Sequence, residues 1–299
     1  MASLASRLTQ TLPARLPILA LPRCANPACL RPPTLWQRWW ARREGIACEK
    51  DWYCSPECFS GGLGPRVERL ACGTGAVPTP RQRFPLGLLL LEQGVISQEQ
   101  LHEALRRQRR AGAGRIGEWL VRGGAATESD IVGALSVQQN CPIFSNREPQ
   151  SFPPAMQFPS PLIRRYEVVP VYFSAAANTL YLGFAACVNR ALISAAGHIL
   201  RCRIEPCIMT ERIECLAAEA WNAAGRGETL CIERLQSAAE MTRSIAGYAD
   251  QAKASSCLLA RCQDYLWARL YGDIASLDLL FRVPSEGSES GPSLALHLV

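Results

Sequence analysis

The sequence predicts an α+β chain built from several segments rather than one uniform domain. Three observations predict it: close cysteine pairs near the start, a stretch that repeats itself, and a switch to β-branched and aromatic runs after it. The expected order is a four-cysteine metal-binding module, a helical tandem repeat packed on a small α/β subdomain, and a short α+β C-terminal extension. The boundaries fall at residues 1–22 (flexible amino terminus), 23–71 (cysteine module), 83–142 (helical repeats), 143–224 (α/β half), 228–284 (extension) and 285–299 (tail).

Composition sets the frame. Of 299 residues, 48% are hydrophobic and 19% charged, enough apolar material for real cores and too much for a disordered chain. No apolar run approaches the roughly 18 residues of a membrane helix. The leucine-rich run at residues 86–91, for example, is interrupted by Gly87 and stops at Glu92. Residues 1–21 contain Arg7, Arg15 and two prolines without a continuous apolar core, so no signal peptide and a cytoplasmic location are expected. The net charge of +6 permits an anionic partner without demanding one. Cytosolic thiols stay reduced, so the 14 cysteines are read as metal ligands or small buried hydrophobes, not as a disulfide framework.

Spacing separates those two uses. Cys24 and Cys29 bracket Pro27, and Cys54 and Cys58 bracket Pro56. Two such turns can aim four thiolates at one ion, a tetrahedral four-sulfur zinc site of the closed, structural kind. Residues 34–43 between the pairs suit a short helix, residues 45–53 a β-hairpin, and Ser55 with Pro56 the cap and first residue of a further helix. Cys48 is a spare that could replace one ligand. A knuckle, a hairpin and a final helix carrying the last two ligands resemble a treble-clef zinc finger, and residues 53–59 resemble its FCS/TRASH variants.

The repeat lies beyond a Gly- and Pro-rich stretch at 72–83. Leu86, Gly87, Leu90, Gly94, Leu101, Leu105 and Gln108 recur 30 residues later as Ile116, Gly117, Leu120, Gly124, Ile131, Leu135 and Gln138. Each unit reads as two short helices. The first stops at Gly94 or Gly124, where a left-handed residue costs least. Ser97 with Gln100, and Thr127 with Asp130, then form capping boxes for the second. Duplication for packing explains the leucines; it leaves the paired glycines and glutamines unexplained.

This pattern is similar to the tandem 24-residue motif of the MshEN domain, the amino-terminal region of type II secretion and type IV pilus assembly ATPases (the general secretory pathway protein E family). The resemblance implies a cyclic di-GMP surface made by both motifs. Carried over, its residues are Leu86, Gly87, Leu90, Gly94, Leu101, Leu105 and Gln108 in the first motif. In the second they are Arg115, Ile116, Gly117, Leu120, Gly124, Ile131, Leu135 and Gln138. Two departures stand out: Pro85 occupies the place of the first motif's arginine, and the spacer 109–114 is six residues where five is usual. The letters Glu103, Ala104, Leu105 match a phosphodiesterase signature but sit inside a repeat helix without a carboxylate set for metals.

Residues 166–173 and 179–184 read as strands around a turn at Asn178, 185–200 as a helix, 203–209 as a strand, and 210–221 as a helix capped by Thr210. This order resembles the second half of the same family domain, so the likeness spans about residues 83–224. Cys187, Cys202, Cys207 and Cys215 sit at apolar positions and are expected to be buried. Residues 230–252 read as a helix and 254–273 as two strands and a turn. That last stretch either resembles a degenerate form of the family's ASDIH segment, with Ser256 and Leu258 in place of its acidic and histidine residues, or belongs to an unrelated extension.

The chain holds no G-x-x-x-x-G-K-[ST] sequence; its two lysines, Lys50 and Lys253, stand outside any such context. No hydrolase or Rossmann fingerprint occurs either, and the histidines are scattered at 102, 198 and 297. The expectation is therefore not an enzyme. It is a regulatory or adaptor protein of a secretion or pilus system, with structural zinc, cyclic di-GMP as ligand, and an inner-membrane platform component or its ATPase as partner. The alternative is a zinc-finger, nucleic-acid-associated regulator using Trp36, Trp39, Trp40, Arg42 and Arg43.

Overall fold

A computed structural model describes residues 23–30, 45–72, 84–144, 152–153, 156–210, 228–272 and 276–284. It opens with a hairpin, β1 (Ile46–Cys48) and β2 (Asp51–Tyr53), followed by helix α1 (Pro56–Cys72). Pro56 begins α1, where a missing N–H costs nothing. The helix buries Phe59, Leu63, Val67 and Ala71, a stripe at four-residue spacing.

The repeat forms four helices: α2 (Leu86–Glu92), α3 (Gln98–Ala111), α4 (Ile116–Arg122) and α5 (Glu128–Gln139). Both expected capping boxes are present, Ser97 with Gln100 and Thr127 with Asp130. After α2, Val95 N–H donates to Leu90 O at 3.0 Å and Gly94 N–H to Leu91 O at 3.0 Å; Ala125 and Gly124 do the same after α4. This Schellman closure needs a left-handed residue, and Gly94 (φ 69°) and Gly124 (φ 68°) supply it.

Next come α6 (Ser160–Tyr166), β3 (Val168–Ser174), β4 (Thr179–Phe184), α7 (Arg190–Leu200) and β5 (Arg203–Ile208). They make a three-stranded sheet in the order β3-β4-β5, antiparallel through the turn at Asn178 and parallel across α7. The remaining elements are β6 (Glu228–Ile232), α8 (Ala238–Gln251), β7 (Ser256–Cys262), β8 (Tyr265–Tyr271) and β9 (Ser276–Arg282).

Two expectations about the sheet need correction. The cysteine module and the extension are not separate units: the six-stranded sheet runs β2-β1-β7-β8-β9-β6, with β1 parallel to β7. Residues 230–232, read as the start of a helix, lie in β6, a strand on the sheet's edge parallel to β9. Alternation along the strands serves two cores. Leu258, Ala260, Cys262, Trp267 and Leu280 face the α/β half, packing with Phe158, Leu192 and Ile199. Cys257, Leu259, Leu266, Ala268, Leu270, Leu279 and Phe281 face α1 and α8. A sheet covered on both faces reads as continuous apolar runs, which is how these strands look in sequence.

Among the described residues, one charged pair is fully buried. Arg269 and Asp278 are 0% and 2% exposed, joined by hydrogen bonds of 2.7 Å from both Nε and Nη2, and Trp267 Nε1 donates to the same carboxylate at 2.7 Å. Arg269 also donates to Gln157 O, which ties the loop before α6 to the sheet. Cys202 and Cys207 are buried as expected, whereas Cys187 is exposed in the loop before α7. The helix begins there only at Arg190, capped by Asn189. The helices expected over 34–43 and 211–221, the tryptophans at 36, 39 and 40, and Cys215 lie outside the described residues.

Candidate functional site

The four cysteines expected to bind metal meet. Residues 24–29 form a knuckle in which Ala28 N–H donates to Asn26 Oδ1 at 2.9 Å and Cys29 N–H to Asn26 O at 3.1 Å. Cys54 follows β2 directly, and Cys58 sits in the first turn of α1, its N–H on Ser55 Oγ at 3.3 Å. Sγ of Cys29 and Cys54 are 3.6 Å apart, those of Cys54 and Cys58 3.7 Å, and all four lie within 4.8 Å of one another. Zinc–sulfur bonds of about 2.3 Å imply tetrahedral edges of about 3.8 Å, so the donor set fits such an ion. Without a cation, burial and then the neighbouring thiols push Cys54 well above its ordinary value. A divalent ion reverses that preference, because it binds thiolate. Four sulfur donors leave no open position for hydrolytic chemistry. Cys48 is not part of the set; it is buried on β1 opposite Cys257.

The second site is the repeat. Its helices pack crosswise: α3 of the first unit lies on α4 of the second, and α5 of the second lies on α2 of the first. The glutamines close this exchange. Gln108 Nε2 donates to Gly114 O at 2.8 Å, just before α4, and Gln138 Nε2 donates to Phe84 O at 2.8 Å, just before α2. Donors and acceptors are both 30 residues apart, so each unit's last glutamine holds the start of the other. The glycines also have a packing role. A Cβ on Gly87 would lie 2.6 Å from Leu101 Cδ1, and one on Gly117 3.0 Å from Ile131 Cγ2.

The motif residues therefore divide. Leu90 and Leu120 are 0% exposed and Leu101 is 8% exposed, in a core between the units; Leu86, Leu105, Ile116 and Ile131 pack against it half-buried, and Leu135 is buried on the side of the α/β half. Arg115 is exposed at the start of α4 and ion-pairs with Glu167, the left-handed residue that ends α6. Pro85 occupies the corresponding place at the start of α2. Trp119, absent from the expected set, borders a 370 Å³ cleft between α3 and α4 with Gln100, Glu103, Arg106, Arg107 and Gly123. The Arg122 guanidinium lies 5.4 Å from its ring centre, and its Nε1 donates to Ala113 O at 3.1 Å. The sequence signal was an asymmetry: the first unit has Leu89 at that position.

No family model matches the chain, and none of the curated proteins does. Solved structures do. The chain is similar to the structure of MshE with cdg at 23% identity, over 48% of this chain and 100% of that one, with a TM-score of 0.38. It is also similar to the N-terminal domain of XpsE at 18% identity, over 46% and 92%, with a TM-score of 0.35. A second crystal form of that domain gives 17% identity and a TM-score of 0.27.

Proposed function

We propose that the chain is a non-catalytic regulatory or adaptor protein of a type II secretion or type IV pilus-like system that binds cyclic di-GMP on its two-repeat unit. One observation carries this reading: both motifs, glycines and glutamines included, occupy equivalent places in a reciprocally closed pair, with Arg115 exposed where the second begins. In this reading the buried leucines and the glycines shape the surface. Arg115 and the half-buried Leu86, Leu105, Ile116 and Ile131 border it.

The ion at Cys24, Cys29, Cys54 and Cys58 is zinc in this proposal, because a closed set of four thiolates suits that metal best. The protein works in the cytoplasm, where its partner is a secretion or pilus platform component or the associated ATPase. A bound dinucleotide favours one arrangement of α2–α5 against the α/β half and so biases docking. No helix among the described residues is long and apolar enough to cross a membrane.

Titration calorimetry tests the ligand. Cyclic di-GMP is expected to bind the wild-type chain with a micromolar constant. Arg115→Ala should weaken it by about ten- to a hundredfold, since a charge-assisted contact contributes roughly 1.5–3 kcal/mol. No heat at tens of micromolar would refute the ligand assignment.

A further inference from the structure

β1 and β2 are three residues each, and an isolated ribbon of that size has little stability in water. Yet β1 is an interior strand: it lies between β2 and β7 and covers the edge of β7. Its direct hold on β7 is short. Ala47 pairs with Ser256 and Cys48 with Cys257, and Ala47 N–H donates to Ser255 O at 2.9 Å. Ile46, Cys48 and Tyr53 are buried in one core with Phe59 and Leu63 of α1, Ile245 of α8, and Cys257 and Leu259 of β7. What anchors the hairpin at its far end is the cysteine cluster. Cys54 leaves β2, Cys58 opens α1, and the 24–29 knuckle lies along β2 through Ala25 N–H to Trp52 O at 2.8 Å.

We infer that the ion held by Cys24, Cys29, Cys54 and Cys58 is a clamp of the C-terminal sheet, so that metal affinity and the stability of β7 and α8 are coupled. The ligands converge only when β2 and the first turn of α1 are both in place. Those two elements share one core with β7 and α8. Binding free energy is then folding free energy for the whole sheet, not for a finger alone. Coupling of this kind is reciprocal: loosening β7 must weaken the metal. The repeat helices have a core of their own and serve as the internal reference.

The inference rests on the metal reading and is independent of the nucleotide. The full chain is loaded with one equivalent of zinc, then stripped with a chelator, and amide hydrogen exchange is followed by mass spectrometry. Exchange over residues 255–260 and 241–249 should accelerate at least tenfold, while residues 98–108 stay within twofold. Zinc that binds stoichiometrically but leaves 255–260 unchanged overturns the clamp alone. A chain that takes up no zinc overturns both the clamp and the metal reading, and acceleration across every segment overturns the confinement to this sheet. In the reverse direction, Leu259→Ala should weaken zinc at least tenfold in chelator competition, and an unchanged affinity overturns the inference. The first measurement uses the wild-type chain and decides the matter even where that variant does not fold.

Discussion

Gln108 and Gln138 show how one residue's role can change between sequence and structure. Their recurrence looked like ligand chemistry, because nothing local calls for an amide there. The structure gives each an intramolecular task across the exchange, satisfying a carbonyl just before the other unit's first helix. No sequence pattern marks this, since the acceptor belongs to the backbone of the partner unit. Gln108→Ala and Gln138→Ala should each lower stability by about 1 kcal/mol in thermal melts without any ligand. An unchanged melt would return the glutamines to a purely ligand-binding role. Asp264 is a second residue whose role was hidden. Burial pushes its carboxyl up, but a hydrogen bond from Tyr166 and two from Arg165, at 2.9 and 2.7 Å, outweigh that and hold it below its ordinary value. A carboxyl lowered by folding adds stability above its unfolded value near 3.9, and that stability is lost as pH falls further. The melting temperature should therefore drop below about pH 4, and Tyr166→Phe should flatten the drop.

At the scale of elements, what was legible was local. The hairpin, the cap of α1, the capping boxes of α3 and α5, the glycine stops of α2 and α4, and the paired strands β3/β4 and β7/β8 all follow from residues within a few positions of one another. What was missed was long-range and parallel. β1 meets β7, and β6 meets β9, across tens to hundreds of residues, and a parallel pair leaves no turn between its strands for a reader to find. The cysteine cluster was legible for the opposite reason, because paired ligands leave a fixed spacing. The buried Arg269–Asp278 pair is likewise invisible locally, though it joins β8 to β9 and to the loop at Gln157. Asp278→Asn should cost about 3–5 kcal/mol in urea unfolding, because it leaves a guanidinium buried without its counter-charge. The pair Arg269→Met with Asp278→Leu should recover most of that loss, and failure to do so would mean the pair contributes more than it costs to bury.

For the whole molecule, the domain order expected from sequence becomes a sandwich. One six-stranded sheet, made from both ends of the chain, separates the α1/α8 layer from the α/β half, and the repeats attach to that half through α5 and the Arg115–Glu167 contact. The cysteine cluster adjoins the core on the α1/α8 face of that sheet, and the repeats adjoin the α/β half on its other face. Tyr166 and Arg165, next to Glu167, join α6 to the sheet by hydrogen-bonding Asp264 in the β7/β8 turn. Whether the duplicated unit is a ligand surface or only a packing device is most directly read from a hydrogen-exchange footprint of the full chain with and without saturating cyclic di-GMP. Slowed exchange strongest over residues 84–94 and 114–124, with smaller changes over 101–108, 131–138 and 160–167, is the predicted result. Identical exchange over the entire chain at saturating ligand would contradict it.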